Sequence, residues 1–336
     1  MTVRMQTPKT SFTVDYTEAV EFMNQQQSIY WPHFEVKVHK DKQDFLVNLT
    51  EAEKHGVVTT LKLFTKYEFI IGNEFWLNFV MKKFPRPADI QPMAATFGAV
   101  ELGIHQMFYK TLNEELGLAT DDFYNDYIND PDLKARIDFL TDTLDEADDL
   151  RALGGFTFGE GAILYSSFAY LKHFQSSGKN KLVNMVSGIN FSARDEHLHS
   201  LAAAWLFRTL LSEKRAAGEI TPEQEAKLKL DIIAGAHKVL EHEKIIIAKI
   251  FEKGAIDGIT PHQLEEFAKH RINLCLTNLG YEAIFEIKND VIQEWFYKGI
   301  TGYSSNDFFN SKGNQYSRDW NLEGFSRIRR KVEEVV

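Results

Sequence analysis

Glu196 and His199 stand three residues apart within Asn190 to Phe207, an apolar, glycine-free stretch that reads as helix. A helix turns about 100° per residue, so positions three apart lie about 60° from each other and direct a carboxylate and an imidazole into one core. Three further segments offer matching groups. Glu68 lies in LFTKYEFIIGNEFW, Glu101 and His105 in FGAVELGIHQMFY, and Glu160 in FTFGEGAILYSSFAYL. An unpaired carboxylate among such side chains costs roughly several kcal/mol, and bound metal ions remove that cost. The chain must therefore fold so that several helices meet around one charged interior.

Helix signals recur along the chain and strand signals do not. Thr50 with Glu53, Thr221 with Gln224 and Thr260 with Gln263 have the capping-box form, and Pro222 and Pro261 occupy first helical positions. Asp130-Pro131 is a similar start. Apolar spacings of three and four predict helices over roughly 51 to 82, 89 to 116, 131 to 151, 157 to 174, 181 to 213, 222 to 252 and 261 to 278. Breaks are expected at Pro85-Arg86-Pro87, Gly154-Gly155, Ser176-Ser177-Gly178 and Gly302 to Ser305. The expected fold is all-α, a helical bundle with no domain boundary before about residue 300.

Within that bundle the spacing repeats. Glu68 precedes His105 by 37 positions and Glu160 precedes His199 by 39, so each half offers a lone carboxylate helix and then a carboxylate-and-histidine helix. A dinuclear carboxylate site in a four-helix bundle takes one Glu from each of two helices and a Glu-x-x-His from each of the others. Glu68, Glu160 and Glu196 with His199 fit this pattern. The second helix departs from it, because Glu101 and His105 are four apart and Leu102 takes the i+3 partner position. Four residues still leave the pair about 40° apart on one face. Two outcomes remain open here: a local π-bulge re-aims one side chain, or the site lacks one ligand. His197 points to another face and reads as a packing or surface histidine. Glu241-His242-Glu243 lies in a charged helix and reads as a solvated face.

Composition excludes several function classes. A formal charge of −10 disfavours nonspecific nucleic-acid binding, and the basic RIRRK near the C-terminus is diluted by the EEVV that follows, so it reads as a solvated tail. The opening MTVRMQTPKTSFTVDY has no apolar stretch of signal-peptide length, and no run of about 18 apolar residues occurs, so neither secretion nor a membrane is expected. One cysteine, Cys275, permits no intramolecular disulfide, and the cytoplasm is the expected compartment.

Taken together these residues resemble the radical-generating small (beta) subunit of class I ribonucleotide reductase. Arg194-Asp195-Glu196-His197-Leu198-His199 looks like that family's second Glu-x-x-His with its preceding Arg-Asp. Glu160 in FGEGAILYSSF is similar to its lone carboxylate helix, and Glu68 in KYEFIIGN to the variant whose first ligand is Glu. Tyr109 falls four residues after His105, where members that store a tyrosyl radical carry the tyrosine. Ser28-Ile29-Tyr30-Trp31-Pro32 matches the aromatic cluster with the electron-transfer tryptophan. The resemblance runs from about residue 25 to 318, through Asn306-Asp307-Phe308-Phe309 and Tyr316.

That resemblance implies a ferritin-like helical domain over 31 to 300, an N-terminal arm over 1 to 30 and a docking segment over 301 to 336. It implies a dinuclear metal centre of two iron ions, two manganese ions or a mixed pair, held by Glu68, Glu101, His105, Glu160, Glu196 and His199 and bridged by Glu160 or Glu196. Such a centre activates oxygen, or superoxide delivered by a helper protein, to make a tyrosyl radical at Tyr109. Trp31, Asp195 and the imidazole of His105 or His199 then form the path toward a separate large catalytic subunit, whose cysteines reduce ribonucleotides. A homodimer is also implied. The family places a redox-active tyrosine in its tail, whereas here no tyrosine follows Tyr316, which leaves Tyr316 and Trp320 as candidates. The alternative is a dinuclear oxygenase or oxidase of the same fold that acts without a large subunit.

Overall fold

Capping places the helix starts where the sequence puts them. The computed structural model describes residues 2–144, 148–176 and 178–298. At Thr50 the side chain accepts from Glu53 N–H at 3.2 Å, and the Glu53 carboxylate accepts from Thr50 N–H at 2.9 Å. The same reciprocal pairs form at Thr221–Gln224 and Thr260–Gln263. Each cap is worth roughly 1 kcal/mol. At the other end, Gly218 and Gly280 close their helices at φ 71° and 91°, which glycine adopts without the Cβ penalty.

Beside short 3-10 turns at His33–Glu35, Val38–Asp41 and His173–Gln175 and a π turn at Asp44–Asn48, nine main helices follow among the described residues. They are α1 (Thr17–Ser28), α2 (Glu51–Phe69, opened into a π-helix over Ile70–Val80), α3 (Ile90–Val100, a π turn over Glu101–His105, then Gln106–Glu115) and α4 (Asp121–Asn129). Next come α5 (Pro131–Leu144), α6 (Asp149–Phe158, a π turn over Gly159–Ile163, then Tyr165–Lys172), α7 (Val183–Ala217), α8 (Pro222–Ile250) and α9 (Pro261–Leu279). Residues 291–298 are also helical. No strand longer than the bridge between Ile256 and Ile259 forms among the described residues, and none of their helices is long and apolar enough to cross a membrane.

The core lies between α2, α3, α6 and α7, with α8 packed against α6 and α9, α9 against α6 and α7, and α1 laid on α3 and α7. Glycines set the closest approaches. A Cβ on Gly72 of α2 would sit 2.7 Å from the Glu101 Cβ of α3, so these helices touch at the charged interior only because residue 72 lacks a side chain.

Two expectations about helix boundaries are corrected. Gly154-Gly155 does not break the chain but lies within α6, where added Cβ atoms would collide with Ile232 and Thr143. These glycines make room for neighbours. This helix starts after Asp148, whose carboxylate accepts from Leu150 N–H and caps α6. The periodicity also passed over α1 and α4. The expected break at Gly302 to Ser305, the RIRRK run, Tyr316, Trp320 and the docking segment lie outside the described residues.

Candidate metal centre

All six candidate ligands are fully buried and meet at the centre of the four core helices. Glu68 comes from the last turn of the α part of α2, Glu101 and His105 from the two ends of the π turn in α3, Glu160 from the π turn in α6, and Glu196 and His199 from α7. The π turn at Glu101–His105 is the first of the two outcomes left open by the sequence. A π turn adds one residue to a helical turn, so a pair four apart takes up the facing relation that three residues give in α7.

His105 Nδ1 lies 3.0 Å from Glu101 Oε2, 3.0 Å from Glu196 Oε1 and 3.7 Å from Glu68 Oε2. His199 Nδ1 contacts Glu101 Oε1 and lies 3.8 Å from Glu196 Oε2 and 3.9 Å from Glu160 Oε2. The donors thus fall into two overlapping groups, Glu68, Glu101, His105 and Glu196 on one side and Glu101, Glu160, Glu196 and His199 on the other. Glu101 and Glu196 belong to both. Glu160, expected as a possible bridge, belongs to one.

The electrostatics fit cations between these groups. No well-directed hydrogen bond reaches either oxygen of Glu68 or Glu196, Glu101 Oε1, Glu160 Oε2 or His199 Nδ1, although imidazole nitrogens lie within ion-pair distance of these carboxylates. Burial, reinforced by the neighbouring carboxylates, pushes Glu68 and Glu160 well above the usual carboxylate range and Glu196 up to about 8. Glu101 is the exception: burial raises it too, but the imidazoles on either side hold it below the usual range. Burial disfavours both imidazolium ions, yet Glu101 raises His105 and His199 above the ordinary value. Four ionised carboxylates would exceed what two imidazoles can offset, which is why burial favours their protonated forms. Bound cations would remove that cost, and hard oxygen donors with one imidazole per group suit two iron- or manganese-type ions.

A second ring of side chains orients the first. Asp195 Oδ2 accepts from Trp31 Nε1–H at 2.7 Å and lies 3.1 Å from His105 Nε2, so an N–H there leaves Nδ1 free to face the carboxylates. Trp31 stacks on His105 with centroids 5.8 Å apart. Of the two histidines left open by the sequence, His105 is the one that joins Trp31 and Asp195. His199 Nε2 instead lies 2.9 Å from Gln26 Oε1 of α1, and Trp76 Nε1–H donates to Glu160 Oε1 at 2.6 Å. Tyr109 Oη is 2.9 Å from Ser192 Oγ, and its ring meets Phe64 and Phe108 edge-on or tilted at 4.8 and 5.0 Å. Burial, and then the charge of Glu68, push the Tyr109 phenol far above its ordinary range.

The model of the family described as "Ribonucleotide reductase, small chain" matches residues 9–291. The chain belongs to the ribonucleotide reductase small-chain family. Among its curated relatives, a probable ribonucleoside-diphosphate reductase small subunit of Invertebrate iridescent virus 3 is 22% identical over 95% of this chain and 88% of its own length. The beta subunit from Halalkalibacterium halodurans is 24% identical over 89% of this chain and 86% of its own. Among solved structures, a putative class I ribonucleotide reductase from Bacillus halodurans superposes with a TM-score of 0.73 at 22% identity, covering 84% of this chain and 99% of that one. The dimanganese(II)-NrdF of Streptococcus sanguinis gives 0.73 at 18%, covering 88% and 99%. These likenesses show a shared ferritin-like helical fold.

For a ribonucleotide reductase small chain, the outer partners are what sequence reasoning missed. Ser192 precedes Glu196 by four, one turn away on the same face, and that spacing was a usable signal. Gln26 and Trp76 carry no comparable signal, since their roles arise from helices brought together only by folding. The expectation for Glu241-His242-Glu243 is corrected in part. Glu243 is not on a solvated face: it is fully buried in α8, where Arg136 of α5 and Ser166 of α6 donate to its carboxylate. Glu241 is exposed as expected. His197 packs half-buried, and burial with Arg271 nearby pushes it down to about 4, which keeps it neutral.

Proposed function

We propose that this ribonucleotide reductase subunit holds a dinuclear centre of iron, manganese or one of each in Glu68, Glu101, His105, Glu160, Glu196 and His199, and that Tyr109 stores the resulting radical. The observation that carries this reading is the sharing of Glu101 and Glu196 between two donor groups that each end in one imidazole. Those six residues would hold the metal pair, which when bound would supply the oxidising equivalent, drawn from oxygen or from superoxide brought by a helper protein, for a one-electron, one-proton oxidation of Tyr109.

The chain's own residues prepare that event. Tyr109 lies one helical turn beyond His105, with its phenol at Ser192 Oγ and its ring walled by Phe64 and Phe108, so neither water nor reductant reaches it. Asp195 Oδ2 holds the Trp31 indole and the His105 imidazole at once, which supports Trp31 as the exit for the oxidising equivalent and Asp195 as the place where its proton is held. Cys275 is buried, and burial pushes its thiol up to about 11. A single inert thiol does not reduce nucleotides, so that chemistry falls to a large catalytic subunit. We assign residues 301 to 336 to docking there, residues 31 to 300 to the helical domain, residues 1 to 30 to the arm, the working unit to a homodimer and its compartment to the cytoplasm.

A dinuclear oxidase working alone would use the same six ligands, but it would have no use for the Trp31–Asp195–His105 chain. Low-temperature electron paramagnetic resonance on metal-loaded, oxygen-treated protein tests the reading, with Tyr109→Phe as control. A doublet near the free-electron position that disappears in the variant is expected, along with loss of reductase support while metal content stays unchanged. Bound metal without any doublet would overturn Tyr109 as the store.

A further inference from the structure

One polar side chain in the Tyr109 pocket belongs to none of the roles assigned above. Ser192 is fully buried, and its Oγ is the group within hydrogen-bond distance of the Tyr109 phenol. Its position follows from α7. Gly188, Ser192 and Glu196 succeed one another at intervals of four along one face, and each meets a different part of the site. Gly188 admits the Phe108 ring, which a Cβ would strike. Ser192 faces the phenol, and Glu196 joins both donor groups. The Phe64 and Phe108 rings border the Tyr109 ring, and the hydroxyl hydrogen-bonded to its buried phenol is that of Ser192.

We propose that Ser192 is a positioning residue for Tyr109, which keeps the phenol oxygen hydrogen-bonded before and after its oxidation and thereby tunes the radical. The neutral phenol is both donor and acceptor, so either hydroxyl can donate. After loss of one electron and one proton the Tyr109 oxygen only accepts, and Ser192 turns its O–H toward it without moving a heavy atom. Ser192 itself gains and loses neither electron nor proton. The tuning half of the proposal rests on Tyr109 being the radical store, whereas the hydrogen bond itself does not.

Vibrational spectroscopy of the metal-free protein, with tyrosine carrying a ring label at the C–O carbon, isolates the hydrogen bond. Tyr109→Phe identifies the Tyr109 band by its loss. Ser192→Ala is expected to shift that band to the position of a phenol without a partner, and Ser192→Thr to restore it, with circular dichroism confirming the fold of each. An unshifted band in a folded Ser192→Ala protein overturns the proposal. High-field electron paramagnetic resonance on the loaded proteins then reads the tuning: Ser192→Ala should raise the largest g value of the radical and shorten its lifetime, and Ser192→Thr should reverse both. A radical spectrum and lifetime unchanged in Ser192→Ala overturns the tuning role. Absence of a radical even in the unaltered protein sinks the storage reading and the tuning with it, while the metal-free comparison still decides the hydrogen bond.

Discussion

Glu101 Oε2 lies 3.0 Å from His105 Nδ1 although four positions separate the two residues, one more than separates Glu196 from His199. The π turn between them absorbs the extra residue. Of its three intervening positions, Leu102 is half-buried with its side chain against Gly72, Gly103 is exposed with open space around it, and Ile104 is buried.

Removing Glu101 takes a donor from both groups at once. Glu101→Ala should lower bound metal from two ions per chain to one or fewer, whereas Glu68→Ala, which removes a donor from one group, should spare the other ion. Metal analysis after desalting measures this. Unchanged occupancy in Glu101→Ala would show that Glu101 is no ligand.

Deletion of Gly103 converts the four-residue spacing to three. The π turn should relax to an α turn with the flanking parts of α3 keeping their phase, so the shortened protein should still fold and bind metal. Loss of metal with the fold intact would show that the π geometry itself is needed.

Asp195→Asn keeps the shape of the residue that joins Trp31 to His105 but removes its charge. The radical at Tyr109 should still form, while reductase support falls by about tenfold to a hundredfold, the range typical for a partner of a metal-ligating histidine. Activity with the large subunit, measured at matched radical content, checks it.

Gly72→Ala drives a methyl against Glu101. Overpacking of a tight core costs roughly 1–3 kcal/mol, more than the ~1 kcal/mol that alanine gains over glycine in a helix. Thermal unfolding should show net destabilisation, and metal content should fall in parallel because the displaced group is Glu101.

Glu53 gives a pH dependence remote from the metal centre. Burial raises its carboxyl, but the Thr50 amide, Lys179 and Lys181 outweigh it and hold the group near 2. A carboxyl with its folded value depressed stabilises fully above its unfolded value of about 4.3 and loses that contribution as pH falls toward 2. Glu53→Gln preserves the capping box and removes only the charge. It should cost ~1–3 kcal/mol at pH 7, and the difference should vanish as pH falls from about 4.3 to 2. A difference that stays constant across that window would refute the ion-pair account.

The sequence makes the core of this fold readable because its costs are local. Thr50, Thr221 and Thr260 cap helices through residues three positions away, and carboxylates in apolar stretches announce a shared counter-charge wherever they converge. What it hides depends on distant partners. The pairing of Glu243 with Arg136 spans 107 positions and that of His199 with Gln26 spans 173, so neither burial nor orientation shows in local pattern. Gly154 and Gly155 misled because glycine reads as a breaker, whereas here it accommodates Ile232 and Thr143. The short α4 was obscured by its polar composition, three Asp and two Asn among nine residues.

The π turn of α3 also bears on how such a chain changes over generations. In an uninterrupted helix, gaining a single codon swings everything downstream through about 100°, and here it would carry Tyr109 off Ser192 and Phe108 off Gly188. Because the turn at Glu101–His105 takes up one residue locally, the gene can acquire or discard that codon in one event, and no ancestor need have passed through a protein with its tyrosine misplaced.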